Sequence, residues 1–126
     1  MKYIAHKDGE REQTIKEHLI GTATLAGQFA EKFGSKDWGY CGGMLHDIGK
    51  YSEEFQKKIN EDTNNMVDHA TAGAQLCKKI NLPVLDYCIA GHHAGLPDYG
   101  NTAERSSLCG RYKKKIYNYE AYQEEI

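Results

Sequence analysis

The sequence predicts an all-α fold, a helical bundle with a metal site in its core. Apolar residues recur at helical spacing in several separate stretches, and helix-start and helix-stop residues bracket those stretches. No run keeps the strict two-residue alternation of a half-buried strand. With 126 residues, no repeat and no low-complexity tract, residues 1–126 read as a single domain.

Thr14 and Glu17 have the Thr-x-x-Glu spacing of a capping box and open the first helix. Ile15, Leu19, Ala23, Ala26, Phe29, Ala30 and Phe33 give it an apolar face, and Gly34 is placed to close it with a left-handed cap. A second helix starts near Ser35 or Asp37, turns Trp38, Cys41, Leu45 and Ile48 inward and ends at Gly49. Gly39, Gly42 and Gly43 lie inside it and each cost up to about 1 kcal/mol relative to Ala, so they imply close approach of another backbone. Ser52 opens a short third helix with Phe55 and Ile59 inward, and the polar stretch 61–65 reads as a loop. Asp68 or His69 opens a fourth helix through Leu76, Cys77 and Ile80. Pro83 stands in the first turn of a fifth, carrying Val84, Leu85, Cys88, Ile89 and His92. Gly95, Pro97 and Gly100 mark a loop, after which a weakly periodic helix runs from about Ala103.

Hydrophobic residues make up 40% of the chain and charged residues 27%, enough for one core and too balanced for disorder. The formal net charge is −2, whereas a protein that relies on bulk electrostatics to hold nucleic acid is basic. Any nucleic acid must therefore be held locally or delivered by a partner. The four cysteines, Cys41, Cys77, Cys88 and Cys109, form no Cys-x-x-Cys pair. The first three fall in phase with apolar neighbours and read as buried free thiols of a reduced, cytoplasmic protein. No apolar stretch has the length of a signal or membrane segment, so no membrane partner is expected.

The six histidines carry the chemical signal. His18, His46, His69 and the pair His92-His93 fall on successive predicted helices, and Asp47 follows His46 directly. Helix bundles build metal sites by pointing one or two side chains inward from each of several helices. Imidazole and carboxylate together suit divalent transition metals such as iron, manganese, nickel or cobalt. Neighbours on a helix diverge by about 100°, so His46 and Asp47 serve one site only at a helix end, next to the freedom of Gly49. Six ligands fit two open ions: His18 and His46 on one, His69, His92 and His93 on the other, with Asp47 between. Two ions about 3.5–4 Å apart are a standard device for phosphoester hydrolysis.

The series His, His-Asp, Asp-His, His-His resembles the HD superfamily of metal-dependent phosphohydrolases. A closer likeness is to the HD nuclease domain of the CRISPR-associated type I helicase–nuclease. It rests on Glu17-His18-Leu19, on Gly43-Met44-Leu45-His46-Asp47-Ile48-Gly49-Lys50 with Phe55-Gln56, on Val67-Asp68-His69-Ala70-Thr71-Ala72-Gly73-Ala74, and on Ala90-Gly91-His92-His93-Ala94-Gly95-Leu96-Pro97-Asp98. The resemblance implies an HD-domain helical bundle and a metal-dependent nuclease that prefers single-stranded DNA. Its work would be to degrade invading DNA in CRISPR antiviral defence, with a helicase domain, fused or separate, and the CRISPR surveillance complex as partners. It places metal ligands at His18, His46, Asp47, His69, His92 and His93.

Asp47 and Lys50 are the catalytic candidates, the lysine either neutralising a substrate phosphate or forming a solvated ion pair with Glu53 or Glu54. The family completes its first metal site with a later aspartate; Asp98 and Glu104 do not stand at the matching position, so the chain is expected to be part of a longer polypeptide. Arg111-Tyr112-Lys113-Lys114-Lys115 is either a DNA-tracking cluster or a solvated face. The alternative function is an HD phosphohydrolase acting on a small nucleotide or cyclic dinucleotide. A third is a docking module without activity.

Overall fold

The computed structural model describes residues 2–61 and 65–126. Strands β1 (Ile4–Asp8) and β2 (Arg11–Thr14) form an antiparallel hairpin and lead into α1 (Ile15–Glu31). Then come α2 (Lys36–Leu45), a 3-10 turn (Ile48–Tyr51), α3 (Glu53–Glu61), α4 (Thr71–Lys79), α5 (Leu85–Gly91), α6 (Leu108–Tyr112) and a final 3-10 turn (Glu120–Glu124). The molecule is thus mainly helical, as the sequence predicts. The expected 61–65 loop overlaps residues 62–64, which lie outside the described residues.

The hairpin corrects the expectation that strands are absent. A register irregularity between Ile4 and His6 puts Ile4 and Ala5 both in the core, so the two-residue alternation that would betray a strand never appears. Gly9, at φ 61°, makes the turn. Gln56 pins the hairpin from inside the protein. Its side chain accepts the Ile4 N–H at 2.9 Å and donates to the carbonyls of Ile4 (3.0 Å) and Lys50 (2.9 Å).

At the start of α1 the predicted capping box is present, with Thr14 and Glu17 bonded reciprocally. Gly34 ends the segment at φ 76°, and the Ser35 N–H donates back to the Ala30 carbonyl. The inward face differs from the prediction: Ile15, Leu19, Ala23, Gly27 and Ala30 are buried, while Phe29 and Phe33 are exposed. The cause is how closely α2 packs. A Cβ on Gly43 would fall 2.3 Å from the Ala23 Cα, and one on Gly39 would fall 2.5 Å from the Ala26 carbonyl. Small residues therefore line the seam and the large ones are left outside it. Gly39 and Gly43 thus mark backbone contact as expected, whereas Gly42 lies against the Leu85 side chain.

Helix α2 stops at Leu45 rather than Gly49, because Asp47 leaves helical geometry at φ −121°, ψ 23°. The fourth helix starts at Thr71, but Asp68 still organises its entry. Its carboxylate accepts the N–H groups of Ala70 and Thr71, each at 3.1 Å, and the Thr71 hydroxyl at 2.6 Å. The fifth starts at Leu85, since Val84 takes φ 75° and is exposed. Cys77 is buried, Cys41 half-buried and Cys88 exposed, so only one of the three cysteines sits in the core as expected. Ile15, Leu19, Leu45, Ile48, Tyr51, Leu85 and Ile89 form that core, directly beneath the histidines. Among the described residues no helix is long and apolar enough to cross a membrane.

Candidate metal centre

The histidines stand at helix ends and turns more than inside helices. His18 projects from α1; His46 and His92 are the C-cap residues of α2 and α5; His69 precedes α4, and His93 follows His92. All five rings turn toward Asp47, which is 3% exposed. One carboxylate oxygen, Oδ2, lies 2.9 Å from His18 Nε2 and 3.2 Å from His46 Nε2. The other, Oδ1, lies 3.0 Å from His92 Nε2, 3.5 Å from His69 Nε2 and 3.9 Å from His93 Nε2. The donors fall into two groups sharing Asp47: His18 with His46, and His69 with His92 and His93.

The hydrogen bonds behind the rings show what such a cluster is suited to hold. His46 Nδ1 is 2.6 Å from the Gly43 carbonyl, and His92 Nδ1 is 2.6 Å from the Ile89 carbonyl. A carbonyl oxygen only accepts, so each Nδ1–H donates to it, and Nε2 is the atom that each ring turns to Asp47. Ring nitrogens also meet one another: His18 and His46 Nε2 to Nε2 at 3.1 Å, and His69 and His93 at 2.7 Å. Two nitrogens bound to one ion at about 2.1 Å stand about 3–3.4 Å apart, close to the His18–His46 spacing. With the Nε2 atoms gathered about one carboxylate, the donor set fits a divalent transition metal.

The electrostatics agree. Burial opposes the Asp47 charge, but the contacts from His18, His46 and His92 outweigh it and hold the carboxyl far below its usual range. Burial brings the pKa of His69 down to about 4 despite the nearby carboxylate. It also lowers His93. For His92 burial acts downward, yet its bond to Asp47 prevails and the pKa rises. His69 and His93, shifted toward the neutral form, are therefore the rings readiest to ligate.

Lys50 is 4% exposed, and its ammonium donates to the Ala5 carbonyl at 3.2 Å and lies 3.5 Å from Asp47 Oδ2. Its partner is therefore Asp47 rather than Glu53 or Glu54. Burial lowers its pKa, and Asp47 offsets part of that shift. Glycine again permits the approach. A Cβ on Gly49 would fall 2.4 Å from the His69 carbonyl, so only glycine lets the Lys50 turn lie against the His69 backbone.

One feature of the site escaped the sequence reading. His6, on β1, stacks edge-on against His18 with ring centroids 4.8 Å apart; an unpredicted strand carries it, so no helical pattern pointed to it. The basic run 111–115 borders an open cavity of about 1030 Å³ whose wall also includes His69 and His93. Within that run Arg111 is spent on the Ala90 carbonyl and Lys114 on Asp68 at 2.5 Å. Arg105, Lys113 and Lys115 line the cavity with no carboxylate partner among the described residues.

The family model described as "HD domain" matches residues 15–122. The chain belongs to the HD domain family. That family is one of metal-dependent enzymes, and the two His/Asp groups are the candidate holders of divalent metal. The chain is also similar to a [1-hydroxy-2-(trimethylamino)ethyl]phosphonate dioxygenase (glycine-betaine-forming) from Leisingera caerulea, at 29% identity over 102 residues. That match covers 75% of this chain and 50% of the relative, so the chain spans about half the length of the curated protein it matches.

Proposed function

We propose that this HD domain is a metal-dependent nuclease that hydrolyses single-stranded DNA, of the kind that works beside a helicase in CRISPR antiviral defence. The supporting observation is the cationic cavity. A chain of net charge −2 concentrates Lys58, Arg105, Lys113 and Lys115 along the open side of His69 and His93. A polyanionic strand is the substrate such a local field selects, and phosphates are what its cations neutralise. The cavity is open and large enough for a strand to lie against the cluster.

His18, His46, Asp47, His69, His92 and His93 would hold the divalent metal, which when bound would supply a water acidified toward neutral pH and electrophilic contact to the phosphate oxygens. The chain's own residues set the stage. Asp47 faces both histidine groups with one oxygen each. The Gly43 and Ile89 carbonyls fix the tautomers of His46 and His92. Lys50 balances the buried Asp47 charge and ties the hairpin to the site. Arg105, Lys113 and Lys115 hold the strand.

The test uses the full-length protein purified metal-free and supplied in turn with manganese, iron, cobalt or nickel. Metal-stimulated cleavage of single-stranded DNA, abolished by His46→Ala and by Asp47→Ala, is the expected result. Intact DNA together with phosphate release from nucleotides or cyclic dinucleotides would replace the nuclease by the small-nucleotide hydrolase. Oxygen uptake on an organophosphonate, again with intact DNA, would favour chemistry like that named for the Leisingera caerulea relative.

A further inference from the structure

The cationic cavity is one of two that meet at the metal centre. The second, of about 520 Å³, lies between the hairpin and α3, and His6, Lys7, Lys50, Lys58 and Asn60 are among its walls. Lys58, His69 and His93 line both cavities, so the two adjoin at the second histidine group. Its volume falls within the range of sites that accept a drug-sized ligand, about 300–1,000 Å³, which is room for a nucleotide. Its charge is one-sided: three lysines and three histidines line it, and no carboxylate does among the described residues. Lys7 and Lys58 have no ion-pair partner among the described residues.

From this we infer that the hairpin–α3 cavity is a second arm of the substrate groove, which binds the nucleotide on the far side of the scissile phosphate. The inference rests on the nuclease reading and adds to it a strand path and its residues. A strand enters along Arg105, Lys113 and Lys115, crosses the centre at Lys58, and leaves with its next phosphate against Lys7. The hairpin can serve as a wall because it is fixed at its base, by Gln56 on Ile4 and by Lys50 on Ala5. Lys58 stands at the junction, on the Phe55 ring with its ammonium 6.0 Å from the centroid. It would touch the phosphate next to the bond being cut.

The experiment is equilibrium binding by fluorescence anisotropy. The full-length protein is kept metal-free so that no strand is cut, and the probes are oligothymidylates of about four and about twelve nucleotides. The short probe fills the larger first arm; the long one spans both. Lys7→Gln is expected to weaken the long probe about fivefold and lower its salt slope by about 1, leaving the short probe at wild-type affinity. Lys113→Gln, on the first arm, is expected to weaken both. Thermal melting of each variant confirms that it is folded.

Wild-type affinity of Lys7→Gln for the long probe overturns the second arm, provided Lys113→Gln weakens it. Equal weakening of both probes by Lys7→Gln also overturns it, because the lysine then acts as a diffuse charge. If the wild-type protein neither binds either probe nor cuts DNA once metal is restored, the nuclease reading itself fails and takes the second arm with it. Cleavage of DNA by a protein whose Lys7→Gln variant behaves as wild type would sink only the second arm.

Discussion

Gly43→Ala tests whether the seam between α1 and α2 sets the metal centre. The new Cβ would sit 2.3 Å from the Ala23 Cα and 2.5 Å from its nitrogen. Carbon atoms in ordinary contact are about 3.5–4.0 Å apart, so the two helices must separate by at least about 1.2 Å. Both clashing atoms belong to backbone in the middle of α1, which cannot rotate away as a side chain would. Overpacking of this kind costs about 1–3 kcal/mol, or a melting temperature lower by roughly 5–15 °C at this chain length. His18 rides on α1 and His46 ends α2, with their Nε2 atoms 3.1 Å apart. Widening that gap by a further ångström takes the pair past the span of a single ion, so the first histidine group should lose metal. Gly21→Ala is the matched control: nothing lies within 4 Å of its added Cβ, so it should gain up to about 1 kcal/mol from helix propensity and keep its metal. The assays are thermal melting and metal content after dialysis. If Gly43→Ala melts as wild type and retains a full complement of metal, the packing of α2 on α1 does not define the site.

Three other outcomes follow from named contacts. In the metal-free protein, His69 has a folded pKa of about 4 against an ordinary value of 6.5. The unfolded chain therefore binds the extra proton between those values, and stability contributed by neutral His69 is lost as pH falls from 6.5 toward 4. His92 works the other way, so the His69 share is read from the difference between wild type and His69→Gln in denaturant midpoints across that window. Identical pH profiles would refute it. Lys50→Met removes the buried cation on Asp47 and the bond to Ala5, and should lower stability by about 1–3 kcal/mol in urea unfolding while loosening the hairpin to hydrogen exchange. Unchanged exchange at Ile4 and Ala5 would show that Gln56 alone holds the hairpin. Tyr51→Phe deletes the hydroxyl that donates to Glu125 Oε1 at 2.7 Å, and should cost about 1 kcal/mol by the same assay. A loss below a few tenths would mean that the final 3-10 turn contributes little.

The site was easier to read in the sequence than the frame that holds it. His18, His46-Asp47, His69 and His92-His93 recur at helix-and-loop intervals, and the fold gathers them into the two groups that ligand counting suggested. Helix ends were legible where a side chain or a glycine makes the cap, as at Thr14 and Gly34. The misses share a cause. Phe29 and Phe33 look like core by periodicity, but the seam they were assigned to is too narrow for a large side chain. Ile4 and Ala5 are consecutive buried residues in a strand with a register break, a pattern no period describes. Val84 precedes its helix with a positive φ, which local sequence gave no reason to expect of a β-branched residue. Each is decided by the approach of a neighbour distant in sequence.

The adjacency of His46 and Asp47 depends on the same kind of neighbour. Two consecutive helical residues point about 100° apart and cannot serve one centre. Here His46 keeps helical geometry and presents Nε2, while Asp47 breaks from it and turns its carboxylate to lie between both histidine groups. The break is held in place because the following turn is buried, with Ile48 and Tyr51 in the core and Gly49 against the His69 backbone. This machinery orients nitrogen and oxygen donors and is indifferent to what is brought to the metal. The chain is 29% identical to a phosphonate dioxygenase, so the donor frame alone cannot choose between hydrolysis and oxygenation. On the nuclease reading, the substrate is chosen by residues outside the His/Asp series: Lys7, Lys58, Arg105, Lys113 and Lys115 around the two cavities. Neutralising them should therefore remove DNA binding while leaving metal content intact, whereas substituting the histidines should do the reverse.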